Sequence, residues 1–153
     1  MPLQTGDAAP DFTLYAQDKQ PFTLSEQTKP TLLLFFPGAF TSVCTTELNT
    51  VSNDLGSYGD VQVVGVSTDS PFALAEFHKV NGFQFPLLSD HDGDVAKAYG
   101  VKYDGDFTDM KLGRIAKRAA FLVDGGTIRY AEETAHAGVQ PDFDAIQSAI
   151  RAL

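Results

Sequence analysis

The chain has 153 residues, enough for one domain with a core that needs no disulfide or metal staples. Its 20 acidic and 11 basic residues leave a formal net charge of -9, which argues against a nucleic-acid or anionic-membrane partner, since both would repel it. One cysteine excludes an internal disulfide, and with it a disulfide-framed secreted scaffold.

Met1 to Asp7 carry neither a basic n-region nor an apolar h-region, and no apolar run reaches membrane-spanning length. The expected location is therefore cytoplasmic. Asp11–Tyr15 and Gln20–Leu24 read as two short strands around a polar turn, an N-terminal hairpin. Ser25 is positioned to cap a brief helical turn that ends at Lys29-Pro30. Leu32, Leu33, Leu34, Phe35 and Phe36 form an uninterrupted apolar run, the mark of a strand buried on both faces, and Pro37-Gly38 stop it. Beyond a polar loop, Cys44, Leu48, Val51 and Leu55 recur at intervals of three and four, which predicts a helix to about Leu55. Gly56, Gly59 and Asp60 break it, and Val61–Val66 is a second buried strand, so a parallel βαβ unit is expected.

Ser70-Pro71 opens a helix to about Val80, with Leu74, Phe77 and Val80 inward, and Asn81-Gly82 closes it. Phe85–Leu88 is a short strand, and Val95–Tyr99 a short helix led in by Asp92 or Gly93. Tyr103–Lys117 is polar and shows no period, so it reads as a long loop. Ala119–Val123 and Thr127–Ala131 form a hairpin turned by Asp124-Gly125-Gly126. Pro141 begins a final helix with Phe143, Ile146 and Ile150 inward. With no repeat or linker, the order is that of a single α/β domain over residues 1–153. It matches a thioredoxin-like fold, a central mixed sheet flanked by helices, with an N-terminal β-hairpin extension.

The single thiol thus falls near the first turn of a helix that follows a buried strand. Helix N-termini carry unpaired N–H groups and partial positive charge, which favour a thiolate. An ordinary thiol is only about 3% ionised at pH 7, and a pKa near ~6 would require about 3.4 kcal/mol of preferential thiolate stabilisation. A helix terminus supplies about 1 kcal/mol, up to ~2 in a buried setting. A further cation is needed, and an arginine suits because it stays charged when partly buried. Arg114, Arg118, Arg129 and Arg151 are the candidates; Arg118 stands directly before a buried strand, whereas Arg129 and Arg151 are expected in solvent. Thr41-Ser42-Val43-Cys44 has the spacing of a redox Cys-x-x-Cys with threonine first. Thr41 fits a helix N-cap, a hydrogen-bond partner for whatever meets the thiolate, or both. Glu47 suits either a capping arrangement or the orientation of the arginine.

Pro37-Gly38-Ala39-Phe40-Thr41-Ser42-Val43-Cys44 resembles the Pro-x-x-x-Thr-x-x-Cys signature of the peroxiredoxins, thiol peroxidases on a thioredoxin-like scaffold. The resemblance extends to Ala9-Pro10-Asp11-Phe12, Gly65-Val66-Ser67, Phe85-Pro86-Leu87-Leu88-Ser89-Asp90, Tyr99-Gly100-Val101 and Arg118–Asp124, nearly the whole chain. Length and the lack of a second cysteine make it most similar to the one-cysteine, AhpE-like branch. The resemblance implies that Cys44 is the peroxidatic nucleophile and that Thr41 hydrogen-bonds the peroxide. It also implies that Arg118 stabilises thiolate and transition state and that Pro37 shields the site, with Glu47 and Val43 supporting. Neither a cofactor nor a metal is implied. An external thiol (thioredoxin, a glutaredoxin-like protein or a small thiol) would have to reduce the Cys44 sulfenic acid, since no second thiol is present.

A peroxide-sensing or chaperone-like binding protein would use the same cysteine. Disulfide reductase chemistry lacks its Cys-x-x-Cys, and a Cys-x5-Arg phosphatase loop would need arginine where Thr50 stands. A Cys-His hydrolase would need His78, His91 or His136 beside the thiol; the first two are expected in solvent and the third in a loop. Asp90-His91-Asp92-Gly93-Asp94 has Val95 where an EF-hand loop needs glycine, so helix capping is the better account. Phe40 and Phe72 fit either the core or the face of a homodimer.

Overall fold

Every residue of the predicted central strand, β3 (Thr31–Phe35), is buried, because the strand is covered on both faces. Leu32, Leu34 and Phe36 join Leu48, Val51, Leu74, Phe77 and Ile146 on one side of the sheet. Leu33 and Phe35 join Val64, Val66, Tyr99 and Phe121 on the other. Side chains two residues apart share a face, so a strand with no polar alternation must be sandwiched. The computed structural model describes residues 1–105, 107 and 109–153.

Seven strands form one mixed sheet in the order β2-β1-β5-β4-β3-β6-β7. β1 (Thr13–Ala16) and β2 (Pro21–Thr23) are the predicted hairpin, and β1 also pairs antiparallel with β5 (Leu87–Ser89). β4 (Gln62–Ser67) lies parallel to β3, as the βαβ expectation required. β6 (Ala119–Asp124) runs antiparallel to β3 and turns into β7 (Thr127–Glu133). Gly125 and Gly126 take φ of 58° and 79°, the conformation a two-residue hairpin turn demands at both positions and glycine supplies without strain. Of the helices, α1 (Ser42–Ser52), α2 (Pro71–Asn81) and α4 (Phe143–Arg151) place their inward residues with the Leu34 face, and α3 (Asp94–Ala98) packs on the other.

Several boundaries differ from expectation, each for a local reason. α1 ends at Ser52, and Leu55 opens a separate 3-10 turn, Leu55–Tyr58. Ser25 lies inside its turn (Leu24–Glu26) instead of capping it, and its N–H donates to the Asp11 carboxylate at 2.9 Å. Val80 is exposed at the end of α2. Pro141 precedes the final helix; Asp142 is the cap, with Oδ1 accepting from Ala145 N at 3.0 Å. α3 starts at Asp94, one residue earlier than expected, with Gly93, one of the two expected lead-ins, as its N-cap; the capping acid is Asp90, whose two carboxylate oxygens accept from Val95 N and Ala96 N. Part of the predicted 103–117 loop lies outside the described residues. The ends of that loop are tied together by Tyr103 N donating to Ile115 O and Lys117 N to Val101 O.

Candidate active site

The register Phe35↔Ala119 sets Arg118 across from the point where β3 gives way to the loop that leads into α1. Cys44 is the third residue of α1, in the turn whose N–H groups have no carbonyl partner within the helix. Thr45 N is the first to bond backward, to Thr41 O at 2.9 Å. Strand pairing and helix start therefore meet at one place. Arg118 Nη2 donates to Cys44 Sγ at 3.2 Å, and both side chains are buried.

The guanidinium is held by three further bonds. Nη1 donates to Glu47 Oε1 at 2.5 Å, and Nε and Nη2 donate to Ala137 O at 3.2 and 3.0 Å. Glu47 follows Cys44 by three residues, so both lie on the inward stripe of α1. Of the two uses its sequence position suited, it orients the arginine. Burial pushes the Glu47 carboxyl up to about 7, against the pull of Arg118, and Glu47 Oε2 has no hydrogen-bond partner among the described residues. Burial alone would lower the pKa of Arg118, but the opposing influence of Glu47 and Cys44 raises it above its ordinary value. The arginine stays charged.

Thr41 occupies the N-cap position, yet its hydroxyl does not cap the helix. It donates to Gly38 O at 2.7 Å, so its proton is committed and the oxygen of this exposed residue keeps its capacity to accept. Phe40 sits between the two with φ 65°, a costly conformation for a residue with a Cβ. The loop holds that shape through Ala39 N, which donates to Asp69 Oδ2 at 2.8 Å; Ser67 Oγ donates to the same oxygen at 2.7 Å. Pro37 is buried, and Val43 O accepts from Gln140 Nε2 at 3.2 Å.

The opening above Cys44 is lined by Pro37, Thr41, Val43, Phe107, Ala137 and Gly138, among others. Sequence reasoning did not reach Asp69, Ala137, Gln140 or Phe107. Ala137 and Gln140 belong to the segment after β7, which is brought past the site because Glu133 pairs with Ala119 and Thr134 N donates to Arg118 O. The remaining arginines lie elsewhere: Arg114 is 3.7 Å from Asp92, Arg129 is exposed, and Arg151 donates to Ser148. His78 is half-buried, not solvated as expected, with Nε2 3.1 Å from Phe85 O; His91 and His136 are exposed. Among the described residues no histidine lines the Cys44 opening. Among those residues, too, no cluster of three or more His, Cys, Asp or Glu could hold a metal, and no helix is long and apolar enough to cross a membrane.

Fold and site together define a thioredoxin-like protein with one arginine-bound thiol at a helix N-terminus. A model of the AhpC/TSA family matches residues 5–131. Alkyl hydroperoxide reductase E of Mycobacterium tuberculosis is 39% identical over 137 residues, which cover 85% of each chain. Peroxiredoxin Bcp of Escherichia coli is 36% identical over 127 residues, or 80% of each. The crystal structure of peroxidoxin BcpB from Mycobacterium tuberculosis superposes with a TM-score of 0.86 at 29% identity, over 99% of this chain and 98% of its own. The chain belongs to the AhpC/TSA family. It is a peroxiredoxin, a thiol-dependent peroxidase that takes a peroxide as substrate and a thiol as reductant.

Proposed function

We propose that Cys44 is the peroxidatic nucleophile, that Arg118 and Thr41 bind the peroxide, and that Pro37, Val43 and Glu47 shape and support the site. The observation that carries this reading is the 3.2 Å bond from Arg118 Nη2 to Cys44 Sγ at the start of α1. The cation and the open N–H groups of the helix terminus are both in place at the sulfur, where charge moves during attack on a peroxide.

Four hydrogen bonds among the described residues use four of the five guanidinium N–H groups, which leaves one on Nη1 for a substrate oxygen. Thr41 Oγ1, its proton given to Gly38 O, can accept from the peroxide O–H. The thiolate attacks one peroxide oxygen in line with the O–O bond. An S–O bond forms, the O–O bond breaks, and the sulfur loses two electrons to the peroxide. The leaving oxygen departs as alkoxide or hydroxide and takes up a proton. Its developing charge falls where Arg118 and the first-turn N–H groups already point, so little reorganisation is needed.

Cys44 becomes a sulfenic acid. With one cysteine in the sequence, the next step is intermolecular: an external thiol (thioredoxin, a glutaredoxin-like protein or a small thiol) forms a mixed disulfide with release of water. A second thiol then frees Cys44. Neither metal nor cofactor enters this cycle. The reading treats residues 1–153 as one domain acting in the cytoplasm, with Phe40 and Phe72 as part of a homodimer face. Phe40 and Phe72 are 55% and 70% exposed, which supports the dimer.

The test is chemical trapping. One equivalent of hydroperoxide should add one oxygen at Cys44, captured by a sulfenic-acid reagent and seen by mass spectrometry, and Cys44→Ser should capture none. Adduct formation no faster than with a free thiol would leave Cys44 as a slow sensor or a packed hydrophobe.

A further inference from the structure

The loop between β3 and α1 is bent at a residue that resists the bend. Phe40, directly before Thr41, takes φ 65°, where its Cβ crowds the backbone. Its ring leans on Phe77 with centroids 5.0 Å apart but stays 55% exposed, so burial accounts for little of the shape. A stronger hold comes from Asp69, which lies between β4 and α2. Oδ2 of Asp69 accepts from Ala39 N at 2.8 Å and from the buried Ser67 Oγ at 2.7 Å. Asp69 N donates back to Ser67 Oγ at 3.3 Å, and Asp69 O accepts from Ser89 Oγ at 2.7 Å. Ser67 ends β4 and Ser89 ends β5, so the carboxylate is tied to the sheet before it meets the loop.

Phe40 therefore stands between two fixed points. Ala39 is pinned to Asp69, and Thr41 is pinned to α1 by Thr45 N donating to Thr41 O. Without the bond at Ala39, Phe40 is free to return to the negative φ that an L-residue prefers. That rotation carries Gly38 O away from the Thr41 hydroxyl, which now donates to it at 2.7 Å. A hydroxyl whose proton is not taken by Gly38 O no longer presents its oxygen as a committed acceptor. We propose that Asp69 is a positioning residue for peroxide reduction: its carboxylate holds the Gly38–Phe40 turn so that Gly38 O takes the Thr41 proton and the Thr41 oxygen is left to accept from the peroxide. The proposal rests on the peroxidase reading above. Arg118 is held from other elements, by Glu47 and Ala137, so the thiol's own reactivity should survive the loss of Asp69.

The experiment measures second-order rates of the reduced protein with hydrogen peroxide, and separately the rate of Cys44 alkylation by iodoacetamide, with circular dichroism to confirm folding. Asp69→Ala should slow the peroxide reaction about tenfold, the scale of a misplaced substrate-binding group, and leave alkylation within about twofold. Asp69→Asn, whose amide oxygen can accept from the same two donors, should keep most of the peroxide rate. In a Thr41→Val background no hydroxyl remains to be positioned, so adding Asp69→Ala should slow the reaction by less than about twofold. Ser67→Ala, which removes the hydroxyl that orients the carboxylate, should slow the peroxide reaction about fivefold, and it carries the same measurements if Asp69→Ala does not fold. A peroxide rate within twofold of the unaltered chain, a slowdown undiminished in the Thr41→Val background, or alkylation that falls along with peroxide reduction overturns the proposal. Each of these leaves the peroxidase reading intact; that reading fails only if the unaltered chain meets hydrogen peroxide no faster than a free thiol does.

Discussion

Arg118 Nη1 lies 2.5 Å from Glu47 Oε1, although 71 residues separate the two and neither is exposed. A guanidinium in the interior must be paired or it costs several kcal/mol, and Glu47 is what allows Arg118 to stand beside the thiol. Removing the carboxylate should therefore affect the whole fold. Glu47→Ala is expected to lower unfolding free energy by about 3 kcal/mol, the range for breaking one side of a buried pair. Glu47→Gln, which retains a carbonyl to accept from Arg118, should lose less. Urea denaturation followed by circular dichroism measures both, and equal, sub-kcal losses would show that the pair contributes little.

The same carboxyl predicts a pH dependence of stability. Its folded pKa is raised to about 7 from an ordinary 4.5, with burial as the leading cause. Between those values the folded protein holds a proton that the unfolded chain has released. The stabilisation from this group is full below pH 4.5, declines as pH rises, and is gone above about 7. Glu47→Gln has no such titration. Its stability relative to the unaltered chain should rise across that window. A difference that is flat with pH would contradict this assignment.

Thr41 separates the role of a cap from that of a peroxide acceptor. Because its hydroxyl reaches Gly38 O and not the helix, Thr41→Val removes an exposed hydrogen bond and should cost no more than about 1 kcal/mol of stability. Its peroxide reaction should slow about tenfold or more, since one acceptor is lost where the substrate proton must be placed. Thr41→Ser should retain most of the rate. Slow oxidation of Thr41→Ser as well would point to the methyl group and not the hydroxyl.

The parts legible in the sequence were those set by local pattern. The all-apolar run before Pro37 gave a strand buried on both faces, and the spacing of Cys44, Leu48 and Val51 gave the inward stripe of α1. Asp-Gly-Gly gave a hairpin whose two glycines both take positive φ. What required the fold was long-range register. Arg118, unlike Arg114, stands directly before a buried strand, but it is the pairing of Phe35 with Ala119 that sets it beside the start of α1. The same holds for Ala137, whose backbone carbonyl carries no side-chain signal, and for Phe107, which lies in a stretch without periodicity. Asp69 was hidden because it acts on a backbone N–H 30 residues away, at a loop whose left-handed Phe40 no propensity foretells. Glu47 did leave a trace: a carboxylate on an otherwise apolar helix stripe, three residues from the thiol, calls for a cation opposite.

The central claim is that Arg118 makes Cys44 a peroxidatic centre. Stopped-flow oxidation of the reduced protein by a stoichiometric hydroperoxide tests it most directly, with Arg118→Ala and Arg118→Lys measured beside the unaltered chain and Cys44→Ser. The account predicts rapid single-equivalent oxidation that is absent in Cys44→Ser. It predicts a loss of about 10²–10³ in Arg118→Ala, the scale of removing one donor from a developing oxyanion, and a partial loss in Arg118→Lys, which keeps the charge without the fork. A folded Arg118→Ala that reacts within twofold of the unaltered chain would contradict it.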